Sequence, residues 1–221
     1  MKVTIREHFY EDLQNLKGLI KELAEDAEHA LKEAVEGLYQ KDIVKAQQVI
    51  DQDEQLDKKE VVINEKAILL IAKQQPLAKD LRRLIIAIKI SSDLERMADH
   101  AVNIAKTTIR LGKDHPLNIH PQIAKMAEKA RDMVILAIKA FENEDISMAR
   151  KLAEMDDEVD HMYSALIREI FEETTSNPQM TQHLMQMAFS ARFIERFADH
   201  ITNIGENIFY LVKGEAYDLN D

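Results

Sequence analysis

"DLERMADHAVNIA" occupies residues 93–105, and "FIERFADHITNIG" occupies residues 193–205. The two stretches lie one hundred residues apart and align without a gap. Identical pairs are Glu95/Glu195, Arg96/Arg196, Ala98/Ala198, Asp99/Asp199, His100/His200, Asn103/Asn203 and Ile104/Ile204. The polar positions match at least as well as the apolar ones. A duplicated core would need only the apolar ones, so the repeat carries more than packing.

The repeat extends outward from this stretch. Ala34, Asp42, Ile43, Ala46, Asp53 and Asp57 recur as Ala137, Asp145, Ile146, Ala149, Asp156 and Asp160. Each copy reads as three helices. From Phe9, apolar residues return at three- and four-residue steps through Leu13, Leu16, Ile20, Leu23, Ala27, Leu31, Ala34 and Leu38. Asp42 is placed to cap a second helix running to about Lys73. Pro76 is placed to open a third, ending near Leu111 with Gly112 as its cap. The stretch "LGKDHPLNIHP" holds one Gly and two Pro and reads as the linker. Helices near 121–141, 145–174 and 178–213 then repeat the plan. The expected fold is all-α: two tandem antiparallel three-helix bundles, 1–112 and 113–221, packed side by side.

Composition agrees with that class. Of 221 residues, 46% are hydrophobic and 31% charged, with only 5 Gly and 4 Pro. So few breakers leave no room for the turns of an all-β fold. There is no Cys, so disulfides, thiolate-held zinc and thiol catalysis are excluded. A net charge of −11, with no basic cluster, argues against nucleic acid and anionic lipid as partners. No apolar run is long enough for membrane insertion. The opening "MKVTIREHFYEDL" lacks an apolar signal core, so a cytoplasmic protein is expected.

The acids carry the chemistry. Asp53/Asp57 and Glu95/Asp99 are spaced i, i+4, as are Asp156/Asp160 and Glu195/Asp199. Residues four apart share a helix face, where two acids repel unless a cation joins them. With 40 acids in the chain, about seven such pairs arise by chance, so no single pair is informative. The duplication and the geometry are. Asp57 and Glu95 stand equally far from Pro76 on either side, and so do Asp53 and Asp99. Asp160/Glu195 and Asp156/Asp199 straddle the Asn177–Pro178 turn in the same way. An antiparallel hairpin therefore brings four carboxylates to one level in each copy. Such an all-oxygen set suits Mg²⁺, Ca²⁺ or Mn²⁺, and bridging carboxylates suit iron. His100 and His200 point away from the acid edge and read as surface or packing residues, with a role as metal ligands or behind the ligands the lesser alternative. Asn103 and Asn203 continue the acid edge and can meet a cation or a carboxylate. Arg96 and Arg196 read as local ion-pair partners. The ten Met read as core filler.

"QQPLAKDLRRLIIAIKISSDLERMADHAVNIAK" (74–106) and "FIERFADHITNIGENIFYLVKG" (193–214) resemble the central and C-terminal signatures of the PhoU family. The resemblance covers the whole chain. It implies two pseudo-symmetric bundles with multinuclear metal clusters on the E/D-x-x-x-D motifs: iron foremost, with Mg, Ca, Mn or Zn as other candidates. It implies a negative regulator of phosphate uptake that contacts a phosphate ABC transporter and a membrane sensor histidine kinase, commonly as a homodimer, and not an enzyme. The second copy departs where "QQPLAKDLRRL" becomes "SNPQMTQHLMQM", so Asp80–Leu81–Arg82 has no twin. Two alternatives remain at this level. A ferritin-like oxidase needs paired Glu-x-x-His motifs, and only Glu158/His161 exists, its twins being Gln55 and Lys58. A metal-free helical adaptor would leave the acids solvated.

Overall fold

The structure, a computed structural model, describes residues 2–215 and 219, with side chains from residue 7 onward. Its helices are α1 (Lys2–Gln40), α2 (Ile43–Gln74), α3 (Ala78–Leu111), α4 (Pro121–Asn143), α5 (Ile146–Ser176) and α6 (Thr181–Lys213), with a 3₁₀ turn at Pro178–Met180. Among the described residues there is no strand. The expected all-α plan is thus the observed one.

The short α1–α2 and α4–α5 turns are built alike. Lys41 and Glu144 take left-handed conformations, at φ 56° and 52°. Asp42 N–H then closes on Gly37 O, and Asp145 N–H on Ala140 O, both at 2.9 Å. This is the Schellman pattern, built here without the usual glycine. Asp42 next caps α2 by accepting from Lys45 N–H at 2.9 Å. Asp145 caps α5 by accepting from Ser147 N–H at 2.8 Å and Met148 N–H at 3.3 Å.

The prolines differ from expectation. Pro76 precedes α3 by two residues, because Leu77 is extended and serves as the N-cap position. Pro178 opens the 3₁₀ turn, and α6 starts only at Thr181. α1 also begins before Phe9, in a segment too polar to show apolar periodicity.

α1, α2 and α3 pack as one bundle, and α4, α5 and α6 as the other. The bundles meet chiefly through α3 and α6, with α1 against α4. Burial reflects this position. Fifteen residues of α3 and fifteen of α6 are buried, against six each for the flanking α2 and α5. α3 and α6 run antiparallel, since Asp93 meets Asn207 while His100 meets Phe193. Both helices bury small residues, among them Ser91, Ala98, Ala101, Ala105, Ser190 and Ala198. Of the methionines expected in the core, Met97, Met126, Met133 and Met187 are buried there, whereas Met185 is exposed.

Candidate metal centre

The acids lie where the two hairpins bring them. In the second bundle, α5 supplies Asp156 and Asp160, and α6 supplies Glu195 and Asp199. One oxygen from each of Asp160, Glu195 and Asp199 lies within 4.8 Å of the others. Asp156 is buried beneath them, at 5% exposure. Its carboxyl is pushed up to about 7, first by burial and then by Asp199, against the hydrogen bond offered by Thr202. Glu195 also rises to about 7, through burial and then Asp199. Asp199 and Asp160 are raised as well, first by desolvation; Asp160 adds to the first and Asp157 to the second.

Two oxygens there, Asp156 Oδ1 and Glu195 Oε2, are buried with no hydrogen-bond partner. A buried acceptor left unpaired costs about 1–3 kcal/mol, more when charged. The lone pairs of an all-oxygen set can be satisfied by protons or by a cation, so the residues present fit a hard or borderline metal ion.

The first bundle repeats the arrangement more loosely. Asp53 is pushed up to about 6 by burial, then by Asp57 and Asp99. Glu95 is raised by burial, then by Asp99, with Asp57 and Glu60 acting across the hairpin. The expected facing pairs therefore interact. However, Arg96 donates to Asp99 at 3.0 Å and lies 3.5 Å from Glu95. Among the described residues, no three acids of this bundle gather as closely as Asp160, Glu195 and Asp199 do. In the second bundle it is Arg192, not Arg196, that pairs with Glu195.

Four contributors escaped the sequence reading. Arg192, Thr202 and Glu60 have Ser92, Val102 and Tyr163 as twins, so a search for repeated residues passes over them. Asp93 has Phe193 as its twin and lies at the bundle interface. It accepts from Asn203 at 3.3 Å and Asn207 at 3.5 Å, and lies 3.1 Å from His200 Nδ1. Asn203 thus meets a carboxylate, but one on the other bundle. His100 stacks on His200 with ring centroids 5.5 Å apart, and lies 6.1 Å from Phe193. The histidines pack the bundle interface, and burial depresses His100 to about 4.

The Glu-x-x-His pair does not join any cluster. Glu158 is paired to Lys129, and exposed His161 contacts Asp157 O at 2.5 Å.

The PhoU domain model matches residues 20–108 and again residues 123–208, once for each bundle. The chain belongs to the PhoU family. The phosphate-specific transport system accessory protein PhoU homolog of Clostridium acetobutylicum is 33% identical over 217 residues, covering 98% of this chain and 99% of that protein. The homolog from Aquifex aeolicus is 36% identical over 206 residues, 93% of each chain. The crystal structure of the phosphate transport system regulatory protein PhoU from Streptococcus pneumoniae superposes with a TM-score of 0.89 at 29% identity, covering 95% of this chain and 99% of that one. PhoU from Pseudomonas aeruginosa gives 0.78 at 30% identity, over 97% and 100%. These likenesses confirm the family and the helical architecture. No helix among the described residues is long and apolar enough to cross a membrane.

Proposed function

We propose that this PhoU-family chain is a metal-holding cytoplasmic regulator of phosphate uptake and of phosphate-starvation signalling. It acts as a negative regulator through contact with a phosphate ABC transporter and a membrane sensor histidine kinase, and works as a homodimer. Relatives named as phosphate-specific transport accessory proteins support the pathway. The observation that carries the metal reading is the convergence of Asp160, Glu195 and Asp199, with buried Asp156 beneath them. In this reading Asp156, Asp160, Glu195 and Asp199 hold one site, and Asp53, Asp57, Glu95 and Asp99 hold the other. Iron is the first candidate, with Mg, Ca, Mn or Zn next. A bound cation would supply positive charge that carboxylates alone lack, bracing each hairpin and offering a surface that anionic groups can approach.

The test has two arms. Elemental analysis of protein purified without chelator should find metal, with less in Asp160→Asn/Glu195→Gln/Asp199→Asn. Co-purification with the transporter's ATPase subunit and with the kinase should depend on external phosphate and be lost in that triple variant. A metal-free protein whose thermal stability ignores added metal would reject the metal reading. Partner contact that ignores phosphate would reject the regulatory one.

A further inference from the structure

A second polar site lies away from the acids, where the end of α3 meets the start of α6. A cleft of about 270 Å³ is lined there by Arg110 and Leu111 of α3 and by Gln182, His183 and Gln186 of α6. His115, in the linker, stands behind it at 5% exposure, its ring centroid 6.5 Å from that of His183. Three buried side-chain atoms in this group have no hydrogen-bond partner: His115 Nδ1, His183 Nδ1 and Gln186 Oε1. Buried polar groups are almost always paired, so three orphans in and behind one cleft mark a place for something that pairs them.

The local charges choose its sign. His115 is depressed first by burial, then by Lys41 and by His183, and no carboxylate acts on it. Lys41 reaches over to the linker, donating to His115 O at 2.7 Å. Arg110 lies on the rim, and no acid lines the cleft. A metal cation would face Arg110 with no negative ligand lining the cleft, and Lys41 adds positive charge behind it at His115. An anion would meet the same charges favourably. The donors are available. Each imidazole carries a proton at Nδ1 in one of its tautomers, and the Gln186 amide can turn its NH₂ inward. Arg110 offers a planar fork that matches two oxygens at once.

We propose that this cleft binds a small tetrahedral oxyanion, of the phosphate or sulfate type, through Arg110, His115, His183 and Gln186. Among the described residues there is one such site. At the corresponding positions in the first bundle, His183 and Gln186 become Arg83 and Ile86, and Arg110 corresponds to Tyr210. The proposal is independent of the metal reading, and its test removes metal from the outset. Full-length protein is stripped with chelator and titrated with inorganic phosphate or with sulfate, at constant ionic strength made up with chloride. His ring resonances are followed by NMR, and the stoichiometry by calorimetry.

The expected result is saturable movement of the His115 and His183 signals at one anion per chain. Arg110→Gln should weaken binding roughly tenfold or more, the value of one lost charged contact. Gln186→Leu should weaken it too, while Asp156→Asn should leave it unchanged. A larger response to phosphate than to sulfate would identify an anion that also donates a proton. Silence of both rings at millimolar phosphate and sulfate overturns the proposal. So does binding that Arg110→Gln leaves intact. Movement of the same rings by Zn²⁺ but not by either anion overturns it in favour of a metal pair.

Discussion

Asp156 is the residue on which the candidate site depends most sharply. It is a buried acid acted on by Asp199, Asp160 and Asp157, with one oxygen unpaired. Its folded pKa of about 7 lies above the ordinary 3.8, so the native state holds its proton more tightly than the unfolded state does. Its contribution to stability is therefore complete below pH 3.8 and is lost as pH rises through about 7. Glu195, at about 7, and Asp53, at about 6, act in the same direction. Chelated protein should accordingly show a melting temperature that falls between pH 4.5 and 7.5. Asp156→Asn should flatten that fall and raise stability at pH 7.5 by on the order of 1–3 kcal/mol. Added metal should stabilise the natural chain but give the variant less. A chelated protein equally stable at both pH values would show that these acids are solvated. At this scale the eight acids were legible, because spacing about Pro76 and Pro178 pairs them across a hairpin. Arg192 and Thr202 were not, since nothing in a lone arginine or threonine announces which carboxylate it will meet. The stacking of His100 on His200 was equally hidden, because it depends on how two bundles cross.

Helix boundaries were legible wherever a side chain does the capping. Asp42 and Asp145 accept backbone N–H groups as their position ahead of an apolar pattern implies. Asp145 bonds two backbone donors and also Ser147 Oγ, at 2.6 Å. Asp145→Ala should lower the midpoint of chemical denaturation, and Asp42→Ala should lower it slightly less. Asp145→Asn should recover most of the loss, since an amide oxygen accepts as well; failure to recover would show that charge, not capping, matters there. What sequence could not show was the residue just before each cap. Lys41 and Glu144 adopt a conformation that favours glycine, at a cost of roughly 1 kcal/mol each. Each is held by contacts made elsewhere in the fold. Lys41 reaches the linker, whereas Glu144 is gripped by Arg83 at 2.7 Å and Lys79 at 2.6 Å, with Lys17 at 3.9 Å. Burial alone would raise Glu144, but the hydrogen bonds from Arg83 and Lys79 outweigh it and hold the group at about 2. Its stabilising effect is therefore present above pH 4.5 and lost as pH falls through about 2, opposite in sign to the acid clusters. A double-mutant cycle of Glu144→Gln and Arg83→Gln should give a coupling of about 1–2 kcal/mol at neutral pH. Additive single effects would reduce the network to a surface decoration.

That network ties α1 and α3 of the first bundle to the α4–α5 turn of the second, and it bears on whether the repeats are domains. The sequence shows duplication plainly, yet duplication does not say whether each copy stands alone. The packing argues that it does not. Buried side chains from all six helices form one contiguous core. α3 and α6 are buried on two sides, each facing its own bundle and the other. Cutting the chain at residue 112 would expose the face of α3 that carries Asp93 and His100, together with the face of α6 that carries Phe193 and His200. It would also strand Asp93 from His200, Asn203 and Asn207, and Glu144 from its cations. The whole chain should therefore unfold in a single calorimetric transition whose van't Hoff and calorimetric enthalpies agree. Fragments 1–112 and 113–221 should each be unfolded or self-associated at micromolar concentration, each replacing its lost neighbour with a second copy of itself. Mixing them should restore a one-to-one complex with the helicity of the intact chain. Two resolved transitions, or a monomeric folded fragment, would instead make the repeats independent domains, and each hairpin could then gather its carboxylates without the other.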